Sequence, residues 1–194
     1  MGKKRKTKKL DTQRIVLAIE NPSIDIEKYG FTFALQIPPL TEEAKLPLHT
    51  YRVMKHILTE EDLEDYKLPT LVAEDSDEGD ESEPQIKTEY TLPDLANPRH
   101  QEIVFSMLPA HYQSLLNNIA YLDLAVIKIT KDGQEIAVQD EDNNIHEIDS
   151  FLDFITYVGS VNPQIQLLPL VDSLVNDFIA WRQGIEVNPV ELKN

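Results

Sequence analysis

Cysteine is absent from the 194 residues, which removes disulfides, thiolate metal sites and cysteine nucleophiles together. Glycine is scarce, with six residues and no two of them close in sequence. A phosphate cradle needs glycines that let successive N–H groups approach the anion, and neither G-x-x-x-x-G-K-S/T nor G-x-G-x-x-G occurs. A nucleotide-binding enzyme of a standard kind is therefore not expected. Long apolar runs are missing as well: none approaches the ~20 residues needed to span a membrane. The first ten residues carry the charge of a leader peptide, but LDTQRIVLAIENPS breaks after five apolar residues. No signal peptide is expected, and the location read from this is intracellular or within a virion.

Recognisable sites are also lacking. The five histidines (His49, His56, His100, His111, His146) form no H-E-x-x-H pair. Asp140, Asp142 and Asn144 match the first three ligand positions of an EF-hand-type Ca2+ loop. Ile145 stands where that loop needs a turn-forming Gly and Phe151 where it needs a bidentate Glu, so a solvated acidic loop is the better reading and no metal is expected. None of Ser106, Ser114, Ser150, Ser160 and Ser173 lies in a G-x-S-x-G elbow. Asp149 and Asp153 are four apart, a spacing better explained by acids favouring a helix N-terminus than by a catalytic pair. His146 reads as a surface or partly buried structural histidine. No cofactor is implied.

What the chain does have is charge, and the two signs lie in different places. The formal charge is −16. Lys3, Lys4, Arg5, Lys6, Lys8 and Lys9 precede Leu10 with no acid among them, leaving 12 basic against 34 acidic residues beyond, a formal charge of −22. Such a body repels nucleic acid and anionic lipid, so any polyanion contact falls to the arm alone. No aromatic residue interleaves with the lysines, so nucleic-acid binding through the arm would be sequence-blind and salt-sensitive. Residues 1–10 are expected to be a disordered basic arm. Residues 73–85, AEDSDEGDESEPQ, hold seven acids and almost nothing that can pack. The expected organisation is an N-terminal β-rich lobe over 11–72, an acidic linker over 73–88 and a C-terminal α+β lobe over 89–194.

Periodicity supplies the elements. Strands are predicted over 14–19 and 28–37, the second with Tyr29, Phe31, Phe33, Leu35 and Ile37 on one face and ended by Pro38-Pro39. The stretch 50–58 fits strand or helix equally. Thr59 followed by three acids predicts a short capped helix through Tyr66. Asn97-Pro98 opens a helix to Leu108, and a second from Pro109 carries Leu108, Tyr112, Leu115, Leu116 and Ile119 as its stripe. Asp132-Gly133 between the β-rich runs 124–130 and 135–138 predicts a hairpin, with a further strand at 145–148. Ser150 with Asp153 predicts a cap, and a last helix buries Val171, Leu174, Val175, Phe178 and Ile179 with Gly184 as its C-terminal cap. The fold class is α+β: small antiparallel sheets with amphipathic helices packed on one face.

These features point away from chemistry and towards assembly. The expectation is a non-catalytic structural protein of a larger complex, such as a virion or a phage tail or neck, gripping other protein subunits through its arm and Pro-rich segments such as Ile37–Leu40 and Val187–Val190. Trp181, off the main stripe of the last helix, is a candidate interface anchor. The alternative is a nucleic-acid-associated accessory protein, with residues 3–9 bound weakly and non-specifically to phosphates. A membrane partner is not expected.

Overall fold

The computed structural model describes residues 22–73, 86–140, 143–159, 162 and 164–187. The arm, the predicted strand 14–19, the acidic residues 74–85 and the Val187–Val190 segment past its first residue lie outside them.

The main sheet starts with β1 (Ser23–Lys28), a stretch whose Ile24 and Ile26 alternate with polar residues. Tyr29 and Gly30 then turn the chain with φ of 54° and 78°. Two successive positive φ values make a turn whose twist matches the flanking strands, and Gly accepts the second without a Cβ penalty. The long strand predicted over 28–37 is therefore shorter: β2 covers Phe31–Gln36, and Tyr29 lies in the turn, exposed. Phe31, Phe33 and Leu35 keep the expected face and are buried. The partner of β2 on this side is β1.

On its other side β2 pairs antiparallel with β5 (Val126–Lys131). Asp132 and Gly133, at φ 52° and 77°, form the predicted hairpin into β6 (Gln134–Glu135). The sheet order is β1-β2-β5-β6, so residues from either side of the acidic stretch share one sheet. A bulge between Ala34 and Leu35 sets Leu35 opposite Val126 and Ala34 opposite Lys128. That skip explains how Val126 and Ile129, three apart, are both buried while Ile127 is exposed.

The acidic stretch has a different place from the one predicted. β3 (Leu68–Ala73) and β4 (Ile86–Thr91) pair antiparallel from Leu68↔Thr91 to Ala73↔Ile86. Residues 74–85 thus connect two strands of one hairpin rather than two lobes. Composition shows that such a segment cannot pack, but not whether its two ends meet.

Helices cover the sheet. α1 (Leu40–Glu43) starts directly after Pro39, so Pro38-Pro39 ends a strand and opens a helix. α2 (Leu46–Ile57) resolves the ambiguous stretch as helix and buries Thr50, Val53 and Met54. The Thr50 hydroxyl lies 2.9 Å from Asn117 Oδ1 and 3.0 Å from the Leu46 carbonyl, tying α2 to the long central helix. α3 (Glu60–Leu63) is capped by Thr59, whose hydroxyl accepts the Asp62 N–H while the Asp62 carboxylate accepts the Thr59 N–H at 2.8 Å. A 3-10 turn carries it to Tyr66. α4 (Pro98–Met107) begins as predicted, with the Asn97 side chain accepting the Arg99 N–H. α5 (Ala110–Ala125) outruns the prediction: Leu116, Ile119, Leu122 and Ala125 are buried, Tyr112 of the predicted stripe is 49% exposed, and β5 begins only at Val126.

The strand predicted over 135–138 is split. β7 (Ala137–Gln139) pairs with β8 (Ile145–Glu147) in a separate two-stranded sheet, while Ile136 turns towards the core between them. Ser150 caps α6 (Phe151–Phe154), which runs into a π-helical turn, Ile155–Gly159. α7 (Leu167–Val187) buries Leu170, Val171, Leu174, Val175 and Phe178. Ile179, predicted as buried, is 40% exposed, and Gly184 is an interior residue of α7 because the helix continues past it.

One buried cluster runs from Ile26 through the sheet, α2, α5 and α6 to Phe178. At its centre Phe33 and Phe31 each meet Phe154 edge to face at 5.0 Å between centroids. Phe33→Ala is expected to lower unfolding stability by about 3–5 kcal/mol, measured by urea denaturation. The Asp62 carboxyl is held below its ordinary 3.8 by the Thr59 hydroxyl and N–H. A lowered folded-state value makes this cap stabilising above about pH 4 and removes the benefit as pH falls through it. Thr59→Ala should therefore cost about 1 kcal/mol near neutrality, with a smaller difference from wild type in denaturation at about pH 3.

Candidate interaction surface

Trp181 is half-buried at the margin of the core, its ring stacked on fully buried Phe178 with centroids 5.4 Å apart. The next residue, Arg182, donates to Glu43 Oε1 at 2.8 Å and to the Tyr121 hydroxyl at 3.0 Å. Both contacts raise the guanidinium pKa, the tyrosine more than the carboxylate, and they tie α7 to α1 and α5. This turn of α7 is thus anchored on its own chain. The basic residues Lys3, Lys4, Arg5, Lys6, Lys8 and Lys9 lie outside the described residues.

The titratable groups singled out in the sequence are dispersed. His56 Nε2 lies 2.7 Å from Thr156 Oγ1, and His100 Nδ1 accepts the Asp94 N–H at 3.0 Å. His146 stacks on Tyr157 at 4.1 Å, with Nε2 2.8 Å from Asp140 Oδ2. A carboxylate only accepts, so Nε2 carries the proton of that bond. Asp140 also accepts the backbone N–H and side-chain amide of Asn144 at 2.8 and 3.0 Å. Two of the three residues matching a Ca2+ loop therefore bond each other; the third, Asp142, lies outside the described residues. Among the described residues no three His, Asp or Glu side chains converge to hold a metal.

Asp153 completes the Ser150 cap, accepting from its hydroxyl at 2.6 Å and returning a backbone N–H at 3.0 Å. Asp123 does similar work from another element: its Oδ1 accepts the Leu152 N–H at 2.9 Å, satisfying the first turn of α6 from α5. No local pattern in the sequence signals that contact, because the partners are 29 residues apart.

The clefts are modest. One of about 490 Å3 lies beside β5, β6 and β8, with Ile129, Ile136 and Ile148 among its walls. Lys128 reaches Glu135 there at 2.9 Å and draws its carboxyl below the ordinary range. A second, of about 350 Å3, is mostly apolar and lies between the end of α2 and the π-helical turn, where His56 meets Thr156. In the second, the Thr156 hydroxyl beside the His56 ring also donates to the Leu152 carbonyl at 2.8 Å.

The β3–β4 hairpin differs from every other element. Its register puts Pro69, Leu71 and Ala73 on one face with Tyr90, Thr88 and Ile86 opposite them. Pro69, Leu71, Ile86, Thr88 and Tyr90 are exposed, and the fractions are large: 72% for Leu71, 71% for Ile86 and 68% for Tyr90. The other face is more polar: it carries Val72, but also Thr70 and Thr91 with hydroxyls 2.8 Å apart and Lys87 3.7 Å from Glu89. Of the hairpin residues whose burial is described, only Leu68, at the root, is buried. An isolated pair of strands is marginal in water and gains stability when a third strand or a packing layer joins it. Among the described residues nothing covers this apolar face, which makes it the leading candidate for contact with another molecule. Sequence reading passed over it because neither strand alternates cleanly between apolar and polar residues, and only the cross-strand register gathers the apolar ones.

Trp181→Ala is expected to lower stability by about 1–3 kcal/mol, since half of a large ring leaves the core margin. Leu71→Ser with Tyr90→Ser should shift it by no more than about 0.5 kcal/mol each, as exposed side chains do. Thermal denaturation of dilute protein distinguishes the two sites. No known protein family matches the chain, and no curated protein or solved structure matches it either.

Proposed function

We propose that this chain is a non-catalytic structural protein that joins a larger complex through protein–protein contacts. The observation that carries the reading is the β3–β4 hairpin, whose apolar face is left to solvent by the described residues. A six-residue pair of strands bearing Leu71, Ile86 and Tyr90 uncovered is a poor arrangement for a molecule that acts alone. The segregated charge supports the same reading: a leader with six cations offers a neighbouring subunit's acidic surface a tether, and the body carries −22. Leu40, 80% exposed beside Pro39, adds a fourth outward apolar residue near a chain bend, although Pro38 itself is buried in this chain. No helix of the described residues is long and apolar enough to cross a membrane.

The test is affinity purification from the native source in three forms: full length, lacking residues 1–10, and carrying Leu71→Ser with Tyr90→Ser. Each form is purified with and without nuclease. A protein partner recovered in fixed proportion with the full chain, and depleted by either change, is the expected result. Recovery that vanishes on nuclease treatment transfers the function to phosphate binding by residues 3–9, whose binding should fall steeply between about 50 and 200 mM salt. Associations unaltered by both changes overturn the proposal.

A further inference from the structure

Among the described residues the hairpin has two unpaired edges, and they are not equivalent. β3 carries Pro69, whose nitrogen has no hydrogen for a ladder, whereas β4 has no proline from Ile86 to Thr91. β4 is therefore the edge open to strand addition, and its sequence is selective about the partner.

Residues 86–90 read Ile-Lys-Thr-Glu-Tyr. Read backwards, the same chemistry returns: apolar, charged, hydroxyl, oppositely charged, apolar. Two copies of a strand paired antiparallel about a two-fold axis must be centred on a residue, because directly opposed side chains share a face. Centring on Lys87 sets that lysine against its own copy, and centring on Glu89 does the same for the glutamate. Centring on Thr88 sets Lys87 against Glu89 twice, Ile86 against Tyr90 twice, and the two threonines against each other. Opposite charges and aromatic–β-branched pairs are the favourable cross-strand neighbours, and like charges directly opposed are unfavourable.

We infer that a second copy of this chain pairs with β4, antiparallel and edge to edge, in the register centred on Thr88. The result is a four-stranded sheet that passes the three-strand threshold at which a sheet holds its own structure. Lys87 and Glu89, a loose pair at 3.7 Å within one strand, acquire partners on the facing strand. The strand ends joined by the acidic residues 74–83 fall on opposite sides of the axis, with the two Ile86 positions roughly 14 Å apart along the strands. That exceeds the ~8 Å over which exposed charges are felt at physiological salt. This inference rests on the assembly reading and names its partner as the chain itself.

Sedimentation velocity and equilibrium on the full chain test it. Wild type is expected to show a concentration-dependent monomer–dimer equilibrium. Lys87→Glu and Glu89→Lys should each raise the Kd roughly tenfold, because two favourable pairs become two repulsive ones. The double variant Lys87→Glu/Glu89→Lys restores the opposed signs and should return the Kd towards wild type. An equimolar mixture of the two single variants should form a heterodimer. The residues are exposed, so circular dichroism should show no loss of fold in any variant. A dimer whose Kd ignores the single changes, or a double variant that stays weak, overturns the register. A monomeric wild type that still recovers hairpin-dependent partners overturns self-pairing and leaves the assembly reading in place; a monomer that recovers none overturns both.

Discussion

The ring of Phe154 meets two phenylalanines of one strand edge-on, Phe31 and Phe33, each at 5.0 Å and 79°. Phe151 adds a third edge contact to Phe33 at 6.1 Å. These residues come from opposite parts of the chain, so the contact closes a loop of some 120 residues and must be rewarded by burial before it offsets the entropy of closure. Edge-to-face pairs contribute about 0.5–1.5 kcal/mol beyond the area they bury. With all four rings buried, this cluster fixes β2 against α6. β1 and β5 then follow β2 through the ladder, and α5 follows β5 through the covalent junction at Ala125–Val126.

Around that centre the polar groups are committed to holding elements together. Asp123 satisfies the first turn of α6, Thr50 joins α2 to α5, and Arg182 joins α7 to α1 and α5. Asp140, Asn144 and His146 close the connection between β7 and β8 on themselves. The ion pairs are mostly exposed, and Lys28–Asp177, between β1 and α7, is half-exposed. Pairs of this kind contribute under about 1 kcal/mol each, so they tune orientation while the aromatic centre supplies the stability.

The β3–β4 hairpin stands outside this arrangement. Its register is set by local pairing, and of its residues whose burial is described only Leu68 is buried. A core is consolidated by many neighbours at once, whereas this hairpin has one strand for each strand. The contrast locates the surface where contact with another molecule would change stability most, and it explains why the assembly reading is built on the hairpin more than on the clefts. The clefts already have their walls, while the hairpin lacks a covering layer among the described residues.

Local chemistry was legible wherever a few adjacent residues decide the outcome. Asp132-Gly133 dictates its turn, Ser150 with Asp153 and Thr59 with Asp62 dictate their caps, and the spacing of Val171, Leu174, Val175 and Phe178 dictates a helical face. Each rests on backbone geometry and hydrogen bonds spanning four residues or fewer. The sequence alone also established the separation of positive from negative charge, because composition needs no coordinates. Pairing was a different matter. That β1 begins at Ser23, that Leu124-Ala125 close a helix instead of opening a strand, and that Ile136 divides one predicted strand between two sheets were decided by which partner lay alongside. The same holds for the acidic stretch: its charge density said that it could not pack, but only the ladder from Leu68↔Thr91 to Ala73↔Ile86 made it the connection of a hairpin. Backbone hydrogen bonds between strands carry no signature of their partner in either strand alone, so tertiary structure had to choose it.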